Sequence, residues 1–486
     1  MNVLLLGLAG MIAAGFGLAL LDLTIRRAEV GAVLVFLSAI AQAVFIFAVP
    51  SVTVGGMRVG VTDLVGVIVL AAALARCLRL HRLSPYQRWL IVLGIALLVS
   101  LMRGVANYGL QTSVSDSRQY LFFVGAALYM ATFRPDTDLY DRIGRIWLIA
   151  AVLMMLLAWV RWLEVFAGIN LGVPAERNGV DTAIRVLDGP YTFFLAGPLL
   201  LTLPSLLKKR PGQRRWIRWL GAVLLIMLLA LDRRTVWLTI LVGAAVLVLR
   251  GRRLGARAMM LVVGATIVIG FAFAGDGLAR DQALPGGVTS TGSVIWRVEG
   301  WSDLLDSWSA SSVNWLVGEP FGSGFVHTTL GEKIDAQPHN FYVETMIRAG
   351  LGGLIALLAL TVDLLRKLWR VPTGGPGLFD PSVLPPLLAM QLVWYLTWVP
   401  GLEQGIVTGM AVAVAAMGVH RRVAGHRSRA ISGPPHPGRW DQVRTAAASA
   451  PPGPPPARRR PPTAHGPSRD VAVGDALAAD IDEGDA

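Results

Sequence analysis

Residues 143–163 read IGRIWLIAAVLMMLLAWVRWL, with no charged side chain between positions 146 and 160. A helix needs about 20 apolar residues to cross a hydrocarbon layer about 30 Å thick, so this stretch predicts a transmembrane helix. Similar stretches recur along the 486 residues, of which 54% are hydrophobic and 15% charged. A soluble domain carries about 25% charged residues. The sequence therefore predicts an all-α fold, a polytopic transmembrane helical bundle with no soluble catalytic domain.

We predict thirteen transmembrane spans. They cover residues 2–22, 30–50, 61–78, 88–103, 119–133, 143–163, 190–207, 215–231, 234–249, 258–274, 341–365, 383–399 and 404–420. Clusters of Arg and Lys occupy every second connection between these spans. Because basic residues are retained on the cytoplasmic side, we expect the amino terminus outside the plasma membrane and the carboxyl terminus inside.

The net charge of +13 raises the question of nucleic-acid binding. The basic residues lie in short clusters between apolar spans, which fits loops beside a lipid bilayer and argues against a nucleic-acid partner. The single cysteine, Cys77, excludes an intramolecular disulfide, and no Cys/His cluster has the spacing of a zinc site. We expect no cofactor and no bound metal.

The sequence predicts two regions. Residues 1–420 form the transmembrane domain, and its largest extracytoplasmic loop, 275–340, is expected to carry short amphipathic helices. One is predicted in SVIWRVEGWSDLLDSWSASSVNWL, residues 293–316, where Trp and Leu recur near helical spacing and suit the outer interface. Residues 421–486 are rich in Pro and Arg and then acidic, which predicts a disordered cytoplasmic tail. Two shorter outer loops are expected at residues 104–118 and 164–189.

Polar groups close to lipid are costly, so their clusters are candidate functional sites. LDRRTVWLTILVG, residues 231–243, places Arg233 and Arg234 in a tight outward hairpin, where a guanidinium fork suits a phosphate group. The structural alternative is a turn whose arginines reach lipid headgroups. Arg297 lies in the amphipathic stretch, where an arginine on the wet face is the usual structural interpretation.

AQPHNFYVETMIRAGLGG, residues 336–353, begins where the large loop re-enters the membrane. His339 suits proton transfer near neutral pH, although a lone interfacial histidine is more often structural. Asn340 is positioned to cap the following helix. Glu344 and Arg348 have the i, i+4 spacing that favours an ion pair.

Three of these segments resemble the O-antigen ligase and O-antigen polymerase superfamily. HNFYVETMIRAGLGGL resembles its signature of His-Asn, an aromatic residue, and a helix with glycines eleven and fourteen positions after the His, here Gly350 and Gly353. LDRRTVWLTILVG is similar to its Ser-Arg-Gly or Ser-Arg-Thr hairpin, with Arg234 at the arginine and Arg233 where Ser is frequent. RVEGWSDLLDSW followed by LVGEPFGSGF resembles its outer-loop segment. The resemblance covers roughly residues 190–420.

The resemblance implies a GT-C-like membrane glycosyltransferase of cell-surface polysaccharide biosynthesis, independent of metal and inverting. It implies a glycan donor on polyprenyl pyrophosphate, used at the outer face, and a hydroxyl acceptor on a glycan, a lipid or a protein. The expected catalytic residues are His339, Arg234 and Arg297. The expected substrate-binding residues are Arg233, Asn340, Glu344, Arg103 and Arg118.

Other functions stay open at this point. Polymerisation of repeat units and ligation of finished chains share these motifs, so the sequence does not separate them. A multi-span transporter or flippase of lipid-linked sugars is the alternative from a different class, and it predicts ionisable groups near mid-membrane and pseudo-symmetric halves. A receptor or scaffold that uses the Pro-rich tail would leave the outer arginines without a role.

Overall fold

A computed structural model describes residues 3–45, 50–80, 82–168, 186–207, 215–231, 233–250, 290–329, 332–371 and 379–431. This part of the chain is mostly helical. Its elements are α1 (Val3–Arg26), α2 (Ala28–Val44), β1 (Ser51–Val54), β2 (Met57–Gly60), α3 (Val61–Arg79), α4 (Pro85–Tyr108), α5 (Leu110–Ala131), α6 (Thr137–Ala167), α7 (Gly189–Leu207), α8 (Arg215–Ala230), α9 (Arg234–Arg250), α10 (Ser290–Ser309), α11 (Ser312–Val317), β3 (Val326–Thr329), β4 (Glu332–Asp335), α12 (Phe341–Leu368), a 3-10 turn (Pro381–Val383), α13 (Leu384–Trp394) and α14 (Leu402–Ile431).

Each predicted span within the described residues coincides with a helix, although the bounds differ. Four of these helices, α3, α4, α6 and α12, are long and apolar enough to cross a membrane. Ala14–Arg26 and Ala28–Val44 meet at a 120° bend and would add a fifth if they form one broken span. Helices such as α8, with 16 residues, extend only about 24 Å and are short for a hydrocarbon core. A membrane-spanning helical fold is supported, while the number thirteen stays a prediction.

Two predicted segments have no counterpart in the described structure. The outer loop expected at 104–118 is wrong as a loop, because α4 continues to Tyr108 and α5 begins at Leu110. Only Gly109, with φ of 82°, turns the chain between the two helices. The span predicted at 258–274 lies outside the described residues. The chain divides into two compact units, Met1–Ala424 and Gly425–Ala486, and everything described below belongs to the first.

The helix ends predicted to lie outside the cell meet at one end of this unit, which we call the site end. Arg118 of α5 pairs with Asp63 at the start of α3, with 2.9 Å between guanidinium nitrogen and carboxylate oxygen. Arg161, fully buried near the end of α6, donates hydrogen bonds to the carbonyl of Val186 before α7, at 2.8 Å, and to that of Ala43 in α2. Arginine side chains thus join helix ends that the alternation of basic clusters assigns to one side.

The opposite helix ends are joined in the same manner. Arg76 near the end of α3 donates to the carbonyl of Ile25 at 2.6 Å and to the hydroxyl of Thr132, after α5, at 2.7 Å. Arg250, the last residue of α9, donates to the carbonyl of Leu368 at the end of α12, at 3.0 Å. The unpaired carbonyls at helix carboxyl ends are suited to such cations. Which end faces the cytoplasm stays a prediction.

Glycines bring α3 and α5 into close contact. A Cβ atom on Gly66 of α3 would lie 2.5 Å from the ring of Phe122 in α5, and one on Gly125 would lie 2.9 Å from the side chain of Leu70. Small residues at such crossings let apolar helices gain dispersion contacts where lipid supplies no hydrophobic driving force. This packing fixes α5, and with it Arg118, against α3.

We expect Gly66→Val to force the Phe122 ring away from α3 and to lower the free energy of unfolding by about 1–3 kcal/mol, as overpacking does. The measurement is thermal unfolding of the purified protein in detergent. Gly15→Val is the matched control, because a Cβ atom at Gly15 of α1 meets nothing within 4 Å. Equal melting temperatures for the two variants would contradict this packing.

Candidate functional site

His339 lies in the short connection that leads into α12, and its backbone conformation is unusual. Its φ is 51°, and no other non-glycine residue among those described has a positive φ. The next residue caps the helix as predicted: the side-chain oxygen of Asn340 accepts hydrogen bonds from the backbone N–H groups of Tyr342, at 3.0 Å, and Val343, at 3.2 Å. A left-handed conformation costs energy for a residue with a Cβ atom, so it persists only where surrounding contacts impose it.

One such contact comes from α10. The indole Nε1–H of Trp301 donates a hydrogen bond of 2.7 Å to the carbonyl of Pro338. Arg297 precedes Trp301 by four residues and therefore lies on the same face of the helix. It is partly buried beside His339, and no hydrogen bond or ion pair joins its guanidinium to any described residue. Within the described ranges, no carboxylate pairs with this cation near the imidazole.

The apolar side chains of α10 pack against the protein. Leu304 and Trp308 from the predicted apolar stripe are buried against Phe325 and Ile347, the latter in α12. The carboxylate of Asp303 accepts a 2.6 Å hydrogen bond from the backbone N–H of Thr328 in β3. These contacts hold α10 against the rest of the protein and therefore fix the position of Arg297.

Arg233 reaches the same place from another part of the chain. Its guanidinium donates to the carbonyl of Leu187 at 2.9 Å and lies 3.3 Å from the carboxylate of Asp188. Asp188 directly precedes α7, and it also accepts a 2.6 Å hydrogen bond from the N–H of Gly189. Arg234 is the first residue of α9 and directly follows Arg233. Asp188 is close enough to act electrostatically on His339.

The surroundings of His339 favour its neutral form. Burial lowers the pKa of the imidazole below its usual value, and the cation of Arg297 lowers it further, while the carboxylate of Asp188 opposes both. Burial also lowers the pKa of Arg297. The Nδ1 atom of His339 is buried and has no hydrogen-bond partner within the described residues. A neutral imidazole with an unpartnered nitrogen can take up a proton.

A stack of aromatic rings lies behind His339. Its ring centroid is 5.2 Å from that of Trp398, which is stacked on Trp394 at 5.6 Å. Trp394 is in turn stacked on Phe193 of α7 at 4.4 Å. A Cβ atom on Gly189 would lie 2.8 Å from the Trp398 indole, so glycine is required there. The stack connects α7, α13 and the histidine.

A cavity of about 560 Å³, which we call the His339 cavity, borders the imidazole. Its walls come from the site ends of α2, α3, α5 and α7, from β1 and β2, and from the chain before α14. His339 and Trp398 form part of this wall, as does Arg118. The cavity is within the range, roughly 300–1,000 Å³, of small-molecule sites in proteins.

Glu344 and Arg348 do not form the expected ion pair. Arg348 is fully buried and binds the carboxylate of Asp116 in α5 at 2.8 Å. The carboxyl group of Glu344, also fully buried, is hydrogen bonded to the hydroxyl of Tyr120. Both side chains bind polar residues of α5, because α5 carries a hydroxyl and a carboxylate where it faces α12. These contacts join the first two turns of α12, directly after His339, to α5.

The Gly-rich turn VGEPFGSGF is held by arginines. Gly318, Gly322 and Gly324 all adopt positive φ, as its turn-rich pattern predicts. Arg103 donates to the carbonyl of Gly318 at 2.5 Å, and Arg348 donates to that of Gly324 at 2.8 Å. Arg103 therefore has a structural role in this turn, and its contact with substrate stays a prediction.

Gly350 interrupts α12 with φ of 65°. A Cβ atom there would lie 2.4 Å from the carbonyl oxygen of Leu316 in α11. Only a glycine allows this close approach to the backbone of α11, a short helix of residues Ser312–Val317.

Arg118 lines the cavity and also forms hydrogen bonds with other residues of the protein. Besides its pair with Asp63, it donates to the carbonyl of Arg58 at 3.2 Å.

Across the described ranges, no group of three or more His, Cys, Asp and Glu side chains gathers as a metal site would require. The chain matches no model of a known protein family, and no curated protein is significantly similar to it.

Sequence reasoning missed several residues of this site, including Asp188, Trp301 and Trp398. Asp188 had a detectable signal, because an Asp directly before an apolar helix is a common amino-terminal cap. Trp301 lies in RVEGWSDLLDSW, one of the segments that carry the family resemblance. The indole of Trp398 had no signal, since its role depends on contacts between distant segments.

We expect Asp188→Asn to lower the pKa of His339 and Arg297→Gln to raise it, because each change removes one neighbouring charge. The measurement is the titration of the imidazole by NMR in ¹⁵N-histidine-labelled protein, with the signal identified by its loss in His339→Gln. Arg26→Gln, at an exposed arginine near the opposite helix ends, is the control and should leave the titration unchanged. Identical titrations in all variants would mean that these charges do not surround His339.

Proposed function

We propose that this chain is a membrane glycosyltransferase that transfers or polymerises a polyprenyl-pyrophosphate-linked glycan onto an acceptor hydroxyl. The observation that carries the proposal is that Arg297, which has no ion pair with a described residue, lies near His339 and the Arg233–Asp188 pair, beside a large cavity. His339, Arg297 and Arg233 come from the three segments that resemble the O-antigen ligase and polymerase superfamily, and Asp188 lies outside them. Their spatial proximity is an observation independent of that resemblance.

The proposed setting is the plasma membrane, with about thirteen spans in a GT-C-like arrangement and the site end outside the cell. The grouping of helix ends supports this topology, since arginines join ends that the positive-inside pattern places on one side. The large loop then supplies α10 and its arginine to the outer face. The tail from residue 421 onward lies in the cytoplasm in this arrangement, and residues 432–486 lie outside the described structure.

The cations of Arg297, Arg233 and Arg234 suit the leaving group. When the bond between the anomeric carbon and the phosphate oxygen breaks, its electron pair leaves with the pyrophosphate. Guanidinium groups bind two phosphate oxygens at once, and their effect is largest where water is scarce. Partial burial of Arg297 provides such surroundings. In this proposal arginines supply the positive charge that a metal ion supplies in other phosphate chemistry, and no cofactor takes part.

His339 suits the nucleophile. The oxygen of the acceptor hydroxyl forms the new bond to the anomeric carbon, opposite the departing pyrophosphate, and its proton passes to the neutral imidazole. Attack from the opposite side inverts the anomeric centre. Asn340 fixes the helix start and Glu344 anchors the helix to α5, so we assign both to positioning the imidazole. Polymerisation and ligation to a glycan, lipid or protein share this step.

In cells that lack the native copy, we expect His339→Gln, Arg297→Gln or Arg234→Gln to reduce glycan transfer at least about 100-fold, as loss of a catalytic base or an anion-stabilising group does. Gel electrophoresis of surface glycan measures chain length and attachment. Short single units indicate a lost polymerase, and long unattached chains indicate a lost ligase.

The matched control for the arginine variants is Arg26→Gln, which should support normal glycan at equal abundance in the membrane. Normal glycan from the His339→Gln and Arg297→Gln variants would remove the catalytic assignment. Lipid-linked glycan retained on the cytoplasmic side would instead favour the transporter or flippase.

A further inference from the structure

Exposed arginines gather at the helix ends opposite the site end. We call this group the arginine patch, and its members are Arg27, Arg79, Arg82, Arg88 and Arg134. Each lies within about one turn of the end of α1, α3, α4 or α5. Within the described ranges, no ion pair joins the guanidinium group of any member to a carboxylate. The patch therefore holds cations whose charge the described residues do not neutralise by direct pairing.

Hydrogen bonds bring the ends of α1, α3 and α5 together beneath the patch. The hydroxyl of Tyr129 in α5 donates a hydrogen bond of 2.9 Å to the carbonyl of Arg27, the residue after α1. Arg76, in the last turn of α3, donates at 2.7 Å to the hydroxyl of Thr132, two residues before Arg134. The arginines at these three helix ends are therefore neighbours in space.

The start of α4 is attached to the same place. The side-chain amide of Gln87, in the first turn of α4, donates a hydrogen bond of 2.8 Å to the carbonyl of Ala131, the last residue of α5. Arg88 directly follows Gln87, and Arg79 and Arg82 lie at the end of α3 and in the short connection to α4. The five arginines thus surround one junction of four helix ends.

The surroundings of the patch leave an excess of positive charge. The neighbouring Arg26 is neutralised by Asp22, with 2.9 Å between guanidinium nitrogen and carboxylate oxygen. Two further exposed carboxylates, Asp136 and Asp138, follow the patch along the chain. Five arginines and these two carboxylates leave a formal excess of three positive charges. Such a surface attracts an anion, and guanidinium groups suit a phosphate in particular.

An exposed apolar face lies directly beside these cations. Leu78, the residue before Arg79, is 88% exposed, and Leu74, one turn earlier on the same face of α3, is 54% exposed. This helix is long and apolar enough to cross a membrane. A free phosphate or a nucleic acid would use the arginines and leave the leucines uncovered. A phospholipid matches both features, because it joins a phosphate to acyl chains.

We infer that the arginine patch binds the headgroup phosphate of an anionic phospholipid whose acyl chains lie along Leu74 and Leu78. A zwitterionic phospholipid carries its own cation beside the phosphate, which reduces its attraction to this surface. The inference is independent of the proposed glycosyl transfer, because the patch lies at the helix ends opposite His339. The bound lipid neutralises repulsion at the junction of α1, α3, α4 and α5.

The test measures binding of phosphatidylglycerol to the full chain in detergent by native mass spectrometry, with phosphatidylcholine of the same chain length for comparison. We expect phosphatidylglycerol to bind at least about tenfold more tightly. The double variant Arg79→Gln/Arg134→Gln should weaken its binding at least about tenfold, because each basic residue near an anionic lipid contributes about fivefold. Both side chains are exposed, so the variant keeps the packing of the helices.

The matched control is the double variant Arg142→Gln/Arg145→Gln, which removes the same formal charge from α6. These arginines are exposed but already paired, Arg142 with Glu29 at 2.7 Å and Arg145 with Asp141. The control should change the affinity for phosphatidylglycerol less than about threefold, since pairing leaves little charge for a lipid and salt screens what remains.

A second arm separates a lipid from a free anion. Inorganic phosphate at the same concentration should not displace phosphatidylglycerol, and Leu74→Ser/Leu78→Ser should weaken the binding of the lipid. Displacement by inorganic phosphate would reduce the patch to an anion site without a lipid. Equal affinities for the two arginine double variants, or for phosphatidylglycerol and phosphatidylcholine, would overturn the inference.

Discussion

The hydrogen bond from Trp301 to the carbonyl of Pro338 is the contact on which the arrangement of the site depends. It fixes α10 against the residue that precedes His339, and the helical period then places Arg297 beside the imidazole. Together with the buried Leu304 and Trp308 and the hydrogen bond between Asp303 and Thr328, it brings together a cation and a histidine separated by more than forty residues. The positive φ of His339 and the cap at Asn340 complete the same local structure.

Lipid explains why the polar chemistry gathers at helix ends. Backbone groups within hydrocarbon must be bonded inside a helix, and charged side chains there are costly. Arg161, Arg76 and Arg250 accordingly bind the carbonyls that helix ends leave unpaired. The segment between α9 and α12 adds Arg297 to the end where the cavity and the histidine lie.

The sequence predicted the helices and the candidate residues better than their contacts. Apolar runs located each described span, and Asn340 was recognisable as a cap because its chemistry is local. The loop expected at 104–118 was wrong because one glycine, Gly109, suffices to turn the chain between two helices. The Glu344–Arg348 pair was wrong because Tyr120 and Asp116 of another helix supply better partners, which helix spacing alone cannot reveal. Asp188 and Trp398 act through tertiary contacts for the same reason.

The central claim is that Arg297, Arg233 and His339 form one pyrophosphate-handling site at the end of the helices assigned to the outside. A cryo-EM structure of the protein in nanodiscs with polyprenyl pyrophosphate tests it most directly. The account predicts phosphate density within about 3 Å of the Arg297 guanidinium and next to His339. Phosphate bound at the opposite helix ends, or Arg297 and His339 on separate faces of the protein, would contradict it.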